Sequence, residues 1–350
     1  MKNGRYIAYV GTYTRGNSQG IHIYDLNIEE GSLKERKVVP INNPSYITKS
    51  YDGKFLYSIA DEGVESFKIL SDGDLVPINK VGINGMRGCY LTTDKRNENL
   101  YVGGYHDGKV TVIEIKKDGS LGVIRDGVFH KGLGSVAERN FRPHVNCVTL
   151  TPEEKYICAV DNGIDHVKIY CLSDNTHTLH LVDILRCKLE SAPRLLKFSA
   201  DGRFAYLISE LSNTLGVYQY DGSGQTPKFE LIQEVVTSEE KHSNCAASGM
   251  KFSPDGEYLY CSSSGDNVVT IFKVDKQTGM VETVCSLPIS GSYPKDLDIF
   301  PDNRHLIVLN HESNEIRTFQ IDYEKKIFVH KHKPLKIETP NCILISKLNE

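Results

Sequence analysis

Hydrophobic and polar residues alternate in short runs along most of the chain, a pattern typical of half-buried β-strands. One unit recurs: a short strand, a tight turn that is often Asp-Gly, and a second strand that ends near a tyrosine. Asp-Gly between two alternating strands is a strong signal for a hairpin. The clearest copies occupy residues 44–57, 193–206 and 248–260, and weaker copies begin at Gly88, Pro143 and Pro294.

The spacing of these copies predicts the architecture. Equivalent second-strand positions fall at Tyr9, Tyr57, Tyr101, Cys158, Tyr206, Tyr260 and Ile307. The steps between them are 44 to 57 residues, close to the length of a four-stranded propeller blade. In the copy over residues 193–236 we expect strands at 194–198, 204–209, 215–220 and 230–235.

We therefore predict an all-β fold, a seven-bladed β-propeller that forms a single domain over residues 1–350. The seventh blade is predicted to be split, with three strands from residues 1–40 and the remaining strand from residues 339–350. Pairing of the C-terminal strand with the N-terminal blade closes the ring and removes the open edges of the sheets.

Composition narrows the possible partners. Lys and Arg number 41 against 45 Asp and Glu, a formal net charge of −4 with no basic stripe, so nucleic acid is not an expected partner. The apolar runs are far shorter than the ~18 residues of a membrane span. Nine cysteines without a C-x-x-C pair indicate reduced thiols and a cytoplasmic protein. We expect no cofactor and no metal site, and the oligomeric state stays open.

Several stretches carry a resemblance to a known family: Y-V-G-T-Y-T at 9–14, D-N-G-I-D at 161–165, A-P-R at 192–194 and L-I-S-E-L-S-N at 207–213. On these residues the chain resembles the lactonase family of seven-bladed propellers. That family includes propeller-type 6-phosphogluconolactonases and fungal carboxymuconate-lactonizing enzymes. The resemblance covers essentially the whole chain and implies an activity on lactones.

Arg194 and Glu210 are the strongest candidates for catalytic residues. They lie in one blade, sixteen residues apart, at positions that should face the same mouth of the ring. The resemblance implies active-site roles for both. A guanidinium can bind a carboxylate, a phosphate or the oxyanion of a lactone under attack, and a carboxylate can position water or orient a histidine. The alternative is a structural salt bridge across the top of the blade.

The chain departs from the family pattern at two positions. The family commonly has Pro-His-x-His before an inner strand, whereas this chain has Pro143-His144-Val145-Asn146, so Asn146 occupies the position of the implied catalytic histidine. Asn cannot act as a base, and His144, predicted on the same strand face, is the candidate in its place; otherwise His144 is a structural rim residue. Lys295 stands where the family tends to have Arg. It is expected to bind an anion as a point charge, or else to be a surface lysine.

Further residues are expected at the mouth because they fall at strand starts or in the adjoining loops. With Lys295, the candidate substrate-binding residues are Asn146, Tyr13, His106, Asp161 and His311. Asp161 has an alternative role, hydrogen bonding to the backbone of its own loop.

Three functions remain compatible with the sequence. The first is an intracellular lactone hydrolase of the 6-phosphogluconolactonase-like type. The second is a muconate-type cycloisomerase, although such an enzyme would favour two arginines for its diacid. The third is a non-catalytic propeller that binds a sugar acid or a protein partner. In the first case the ligand is a small anionic sugar lactone.

Overall fold

The computed structural model describes residues 4–134, 140–238 and 245–348, which form seven antiparallel sheets and contain no helix. The sheets are the blades of a seven-bladed β-propeller, as predicted. We number the blades in chain order, so that blade 7 combines the two ends of the chain. Each sheet has four strands, and blade 6 has an additional short one.

The strands of the first four blades have the following bounds. Blade 1 comprises β4 (Ile47–Lys49), β5 (Phe55–Ala60), β6 (Gly63–Ile69) and β7 (Leu75–Val81). Blade 2 comprises β8 (Tyr90–Thr93), β9 (Asn99–Gly104), β10 (Lys109–Ile115) and β11 (Leu121–Phe129). Blade 3 comprises β12 (Val145–Leu150), β13 (Ile157–Asp161), β14 (His166–Leu172) and β15 (Leu179–Arg186). Blade 4 comprises β16 (Pro193–Phe198), β17 (Phe204–Ser209), β18 (Thr214–Asp221) and β19 (Lys228–Val236).

The other three blades complete the ring. Blade 5 comprises β20 (Ala246–Phe252), β21 (Tyr258–Ser264), β22 (Val268–Val274) and β23 (Val281–Pro288). Blade 6 comprises β24 (Pro294–Ile299), β25 (His305–Asn310), β26 (Glu315–Asp322), β27 (Ile327–His330) and β28 (Leu335–Lys336). Blade 7 comprises β29 (Pro340–Lys347), β1 (Tyr6–Thr12), β2 (Gly20–Asn27) and β3 (Ser32–Pro40).

The C-terminal strand closes the ring, which confirms the predicted closure. Strand β29 pairs antiparallel with β1, with Tyr9 opposite Leu344. It also packs against β24 of blade 6 and β4 of blade 1, which, like β29, are the inner strands of their blades, next to the ring axis. The strands predicted for blade 4 are each found within two residues of their expected ends.

Two of the recurring tyrosines, Tyr9 and Tyr206, link neighbouring blades. Tyr9 is fully buried, and its hydroxyl donates a hydrogen bond to the carbonyl oxygen of Gly73 in the next blade at 2.8 Å. Tyr206 does the same to Gly279, at 2.7 Å. The acceptor glycines lie in turns with φ of 86° and 74°, a conformation that favours glycine. Each tyrosine thus adds apolar burial and a satisfied polar contact between two sheets.

Among the described residues, no helix is long and apolar enough to cross a membrane.

Candidate functional site

A cavity of about 430 Å³ lies at one mouth of the ring and continues along its axis. All seven blades contribute residues to its wall. The wall carries arginine, lysine, glutamate, aspartate, asparagine and histidine side chains together with several tyrosines, so the cavity suits a polar and charged ligand.

In five blades the inner strand has a β-bulge close to its start. There the strand contains one residue more than the strand it pairs with, and the residues of the bulge leave the regular ladder. They are Asn341 in blade 7, Asn146 in blade 3, Arg194 in blade 4, Ser248 and Gly249 in blade 5, and Lys295 in blade 6. Every one of these bulged residues lines the cavity.

Arg194 and Glu210 form an ion pair in the cavity wall, between Nη1 and Oε2. Their side chains are only 13% and 5% exposed. Arg194 Nε donates to the carbonyl oxygen of Ser248 at 3.0 Å, and Asn162 Nδ2 donates to the same Glu210 oxygen at 3.3 Å. Burial opposes the charge on Arg194, but the carboxylate of Glu210 outweighs it and raises the pKa of Arg194. The pair is therefore held in one arrangement before any ligand arrives.

Lys295 adds a second cation beside this pair. Its ammonium group lies 5.3 Å from the centre of the Tyr293 ring, a cation–π contact. Burial lowers the pKa of Lys295, and the nearby positive charge of Arg194 lowers it further. Arg194 and Lys295 both line this part of the wall, so it can attract an anion.

Asn146 lines the cavity, and its Nδ2 atom is buried with no hydrogen-bond partner within the described residues. His144 does not line it. The His144 ring stacks on Tyr105 with 4.3 Å between ring centres, and its Nδ1 atom is 2.6 Å from the Tyr105 carbonyl oxygen. The expectation that strand alternation turns both side chains to the same face fails because the bulge at Asn146 interrupts the alternation.

Tyr13 and His106, two of the candidate substrate-binding residues, both line the cavity. The Arg87 guanidinium lies 4.9 Å from the centre of the Tyr13 ring. Burial lowers the pKa of His106, and the charge of Arg87 acts in the same direction. His106 is therefore a neutral imidazole near neutral pH.

His311 and Asp161 lie outside the cavity wall. The His311 ring packs behind Tyr13 at 5.8 Å between ring centres, with its Nδ1 atom 3.1 Å from the carbonyl oxygen of Pro340. Asp161 is fully buried, and its Oδ1 atom accepts hydrogen bonds from the backbone amides of His144 and Gly163. These contacts match the alternative role of Asp161, hydrogen bonding to the backbone of its own loop, and not a place in the cavity wall.

Sequence reasoning missed the deeper part of the cavity. Lys197, Lys251 and Asp296 lie on inner strands below the mouth and line the same space. A signal was available, because Lys197 and Lys251 occupy the same place before the Asp-Gly turn in two copies of the repeat. No group of three or more His, Cys, Asp or Glu side chains suited to a metal ion occurs in residues 4–134, 140–238 and 245–348.

Comparison with known proteins finds similar proteins over nearly the whole length of the chain. The family model described as "Lactonase, 7-bladed beta-propeller" matches residues 7–345. A 6-phosphogluconolactonase from Bacillus subtilis (strain 168) is 29% identical over 346 residues, which cover 97% of this chain and 98% of the relative.

Solved structures resemble the chain over its whole length. The periplasmic gluconolactonase of Pseudomonas aeruginosa superposes with a TM-score of 0.92 at 27% identity, covering 99% of this chain and 100% of the other. A crystal structure from Bacteroides fragilis NCTC 9343 superposes with a TM-score of 0.90 at 31% identity, covering 99% of both chains.

Proposed function

Because the chain belongs to the lactonase family of seven-bladed β-propellers, we propose that it hydrolyses an anionic sugar lactone such as 6-phosphogluconolactone. The relatives named for 6-phosphogluconolactone and gluconolactone support this substrate class. An intracellular location is part of the proposal, and it is supported by nine cysteines that are all free thiols.

The observation that carries the proposal is the group of donors at the mouth. Arg194, Lys295 and Asn146 come from three different blades and line one cavity beside the carboxylate of Glu210. When water attacks a lactone carbonyl, negative charge develops on the carbonyl oxygen. Preorganised donors aimed at that charge usually supply the largest part of the acceleration.

We assign the positioning of the attacking water to Glu210. Asn146 lacks a basic atom, and His144 lies outside the cavity wall. Glu210 lines the cavity next to the donors and is fixed by Arg194 and Asn162. A carboxylate in this place can accept a hydrogen bond from water as the water attacks.

Asparagine in the position of the family's histidine favours a second candidate function, the binding of a sugar acid without turnover. Such a ligand would use the same cations, since an aldonate carboxylate resembles the charge that develops during lactone hydrolysis.

Steady-state hydrolysis of 6-phosphogluconolactone near neutral pH, corrected for the spontaneous rate, tests the proposal. We expect clear turnover by the parent and a loss of about 10²–10³-fold in Arg194→Gln, the usual effect of removing one oxyanion donor. Arg203→Gln is the matched control, because Arg203 lies in the same blade with a side chain that is 55% exposed. A parent that binds 6-phosphogluconate in calorimetry but does not exceed the spontaneous rate would favour the binding function instead.

A further inference from the structure

Below the mouth, the inner strands form a second layer of side chains around the axis. This layer consists of the residues paired with the recurring position of the second strands. Its members are Thr48, Thr92, Thr149, Lys197, Lys251, Asp298 and Leu344. The layer thus contains two lysines but a single acid.

Lys251 takes this acid. Its Nζ atom lies 2.9 Å from Asp298 Oδ2, and the aspartate side chain is only 8% exposed. Burial alone would lower the pKa of Lys251, but the charges of Asp298 and Asp296 outweigh it and raise this pKa. Lys251 is therefore a protonated, paired ammonium group.

Lys197 occupies the equivalent position in the adjacent blade and lines the same cavity. It forms no hydrogen bond or ion pair with any residue that the structure describes. The charged and titratable groups that face it are Lys251 from β20, Cys147 from β12, and Asp296 and Asp298 from β24. Burial lowers the pKa of Lys197, the positive charge of Lys251 lowers it further, and the carboxylates only partly oppose this shift.

A half-buried lysine without an acid partner has a larger fraction of neutral amine, the nucleophilic form, than an exposed lysine. The ligand class proposed above is itself an electrophile. We propose that Lys197 is an acylation site, whose amine accepts the acyl group of a sugar lactone that enters the cavity. The identity of the acyl donor rests on the proposed function, whereas the nucleophilic amine does not.

The reaction needs no further reagent. The Nζ lone pair attacks the lactone carbonyl carbon, a C–N bond forms and the ring C–O bond breaks. The proton lost from nitrogen goes to the released ring oxygen, so the product is an Nε-aldonoyl lysine with a new hydroxyl group. The amide is uncharged and larger than the amine, and it would occupy the deeper part of the cavity.

Competitive labelling with trace acetic anhydride, followed by peptide mass spectrometry, tests the amine directly. We expect Lys197 to react at least about tenfold faster than Lys251 near neutral pH, since each unit of pKa changes the neutral fraction about tenfold. Lys251 is the internal control, because it lines the same cavity in the same layer. Equal or slower labelling of Lys197 would overturn the inference.

The Lys251→Met variant tests whether Lys197 reacts faster because of its electrostatic surroundings or because the reagent reaches it more easily. Without Lys251, a repulsive charge is lost and Asp298 is left for Lys197, so the labelling of Lys197 should fall although the cavity is no narrower. Unchanged or faster labelling of Lys197 in this variant would contradict the electrostatic cause.

Incubation with 6-phosphogluconolactone, the lactone of the proposed function, tests the acyl donor. We expect a mass gain of one lactone on the peptide that contains Lys197, and no such gain on the Lys251 peptide. A parent that hydrolyses the lactone while Lys197 stays unmodified would overturn this inference alone. An adduct on Lys197 without turnover would overturn the proposed function alone.

Discussion

Replacing Arg194 with methionine should destabilise the protein, because Glu210 would keep its buried charge and lose its cation. Breaking a buried pair by removing one partner typically costs about 3–5 kcal/mol. Asn162 still donates to Glu210, and the Arg194 side chain is 13% exposed, so we expect the lower end, about 3 kcal/mol. The reverse variant, Glu210→Met, should cost a similar amount, since it leaves Arg194 unpaired.

The double variant Arg194→Met/Glu210→Met should be much closer to the parent than the sum of the single losses. Apolar residues of similar volume often replace a buried ion pair at little cost, so we expect a net loss of about 1–2 kcal/mol. The coupling free energy of the cycle is then about 4–5 kcal/mol if each single variant loses about 3 kcal/mol. Hydrolysis should nevertheless be lost in all three variants, which separates the chemical role of the pair from its structural role.

Urea unfolding followed by tyrosine fluorescence measures the four free energies of unfolding, and equal m-values across the set are required for the comparison. The exposed pair of Arg203 and Asp201 is the matched control, and its cycle should give less than about 1 kcal/mol. Additive losses for Arg194 and Glu210 would refute the reasoning, because they would mean that the two side chains are stabilised independently.

Two further outcomes follow from buried polar groups. His130 is buried against Asp161, and burial lowers its pKa from 6.5, so the unfolded chain binds the proton first as the pH falls. The free energy of unfolding should then fall below about pH 6.5 by up to about 1.4 kcal/mol per pH unit, and urea midpoints should show a shallower fall in His130→Gln. An equal fall in both would exclude His130 as a source. Asn146→His should raise lactone hydrolysis at least about tenfold by adding a base with a pKa near ~6.5, and an unchanged rate would show that no base is missing there.

The fold was predictable because its signal is repeated. Most copies share a tight turn and a buried tyrosine, such as Tyr9 in contact with Gly73, so an ambiguous strand in one copy is resolved by the others. The candidate site was predictable only in part. Strand starts led to Arg194, Lys295 and Asn146, which do line the cavity.

Sequence reasoning misplaced His144 and left the role of Asp161 open, in both cases for a physical reason. His144 was misplaced because alternation along a strand holds only while the ladder is regular, and the bulge at Asn146 is invisible in the hydrophobic pattern. Asp161 was ambiguous because a carboxylate in a loop suits either a ligand or the backbone amides around it, and only the folded loop decides between them. The sequence near Lys197 does not show whether this lysine has an acid partner. The acid in its layer, Asp298, lies two blades further along the chain and pairs with Lys251.

Because of the bulges near the starts of the inner strands, residues that line the cavity can change while the surrounding sheets keep their structure. A bulged residue is extra to the ladder, so its side chain can be exchanged while the strand pairing on either side stays the same. Each of these five blades can therefore carry a different side chain at its bulge while the pairing of its own strands is unchanged. Evolution could alter the ligand or the reaction one blade at a time, and an engineer could do the same, without redesigning the ring.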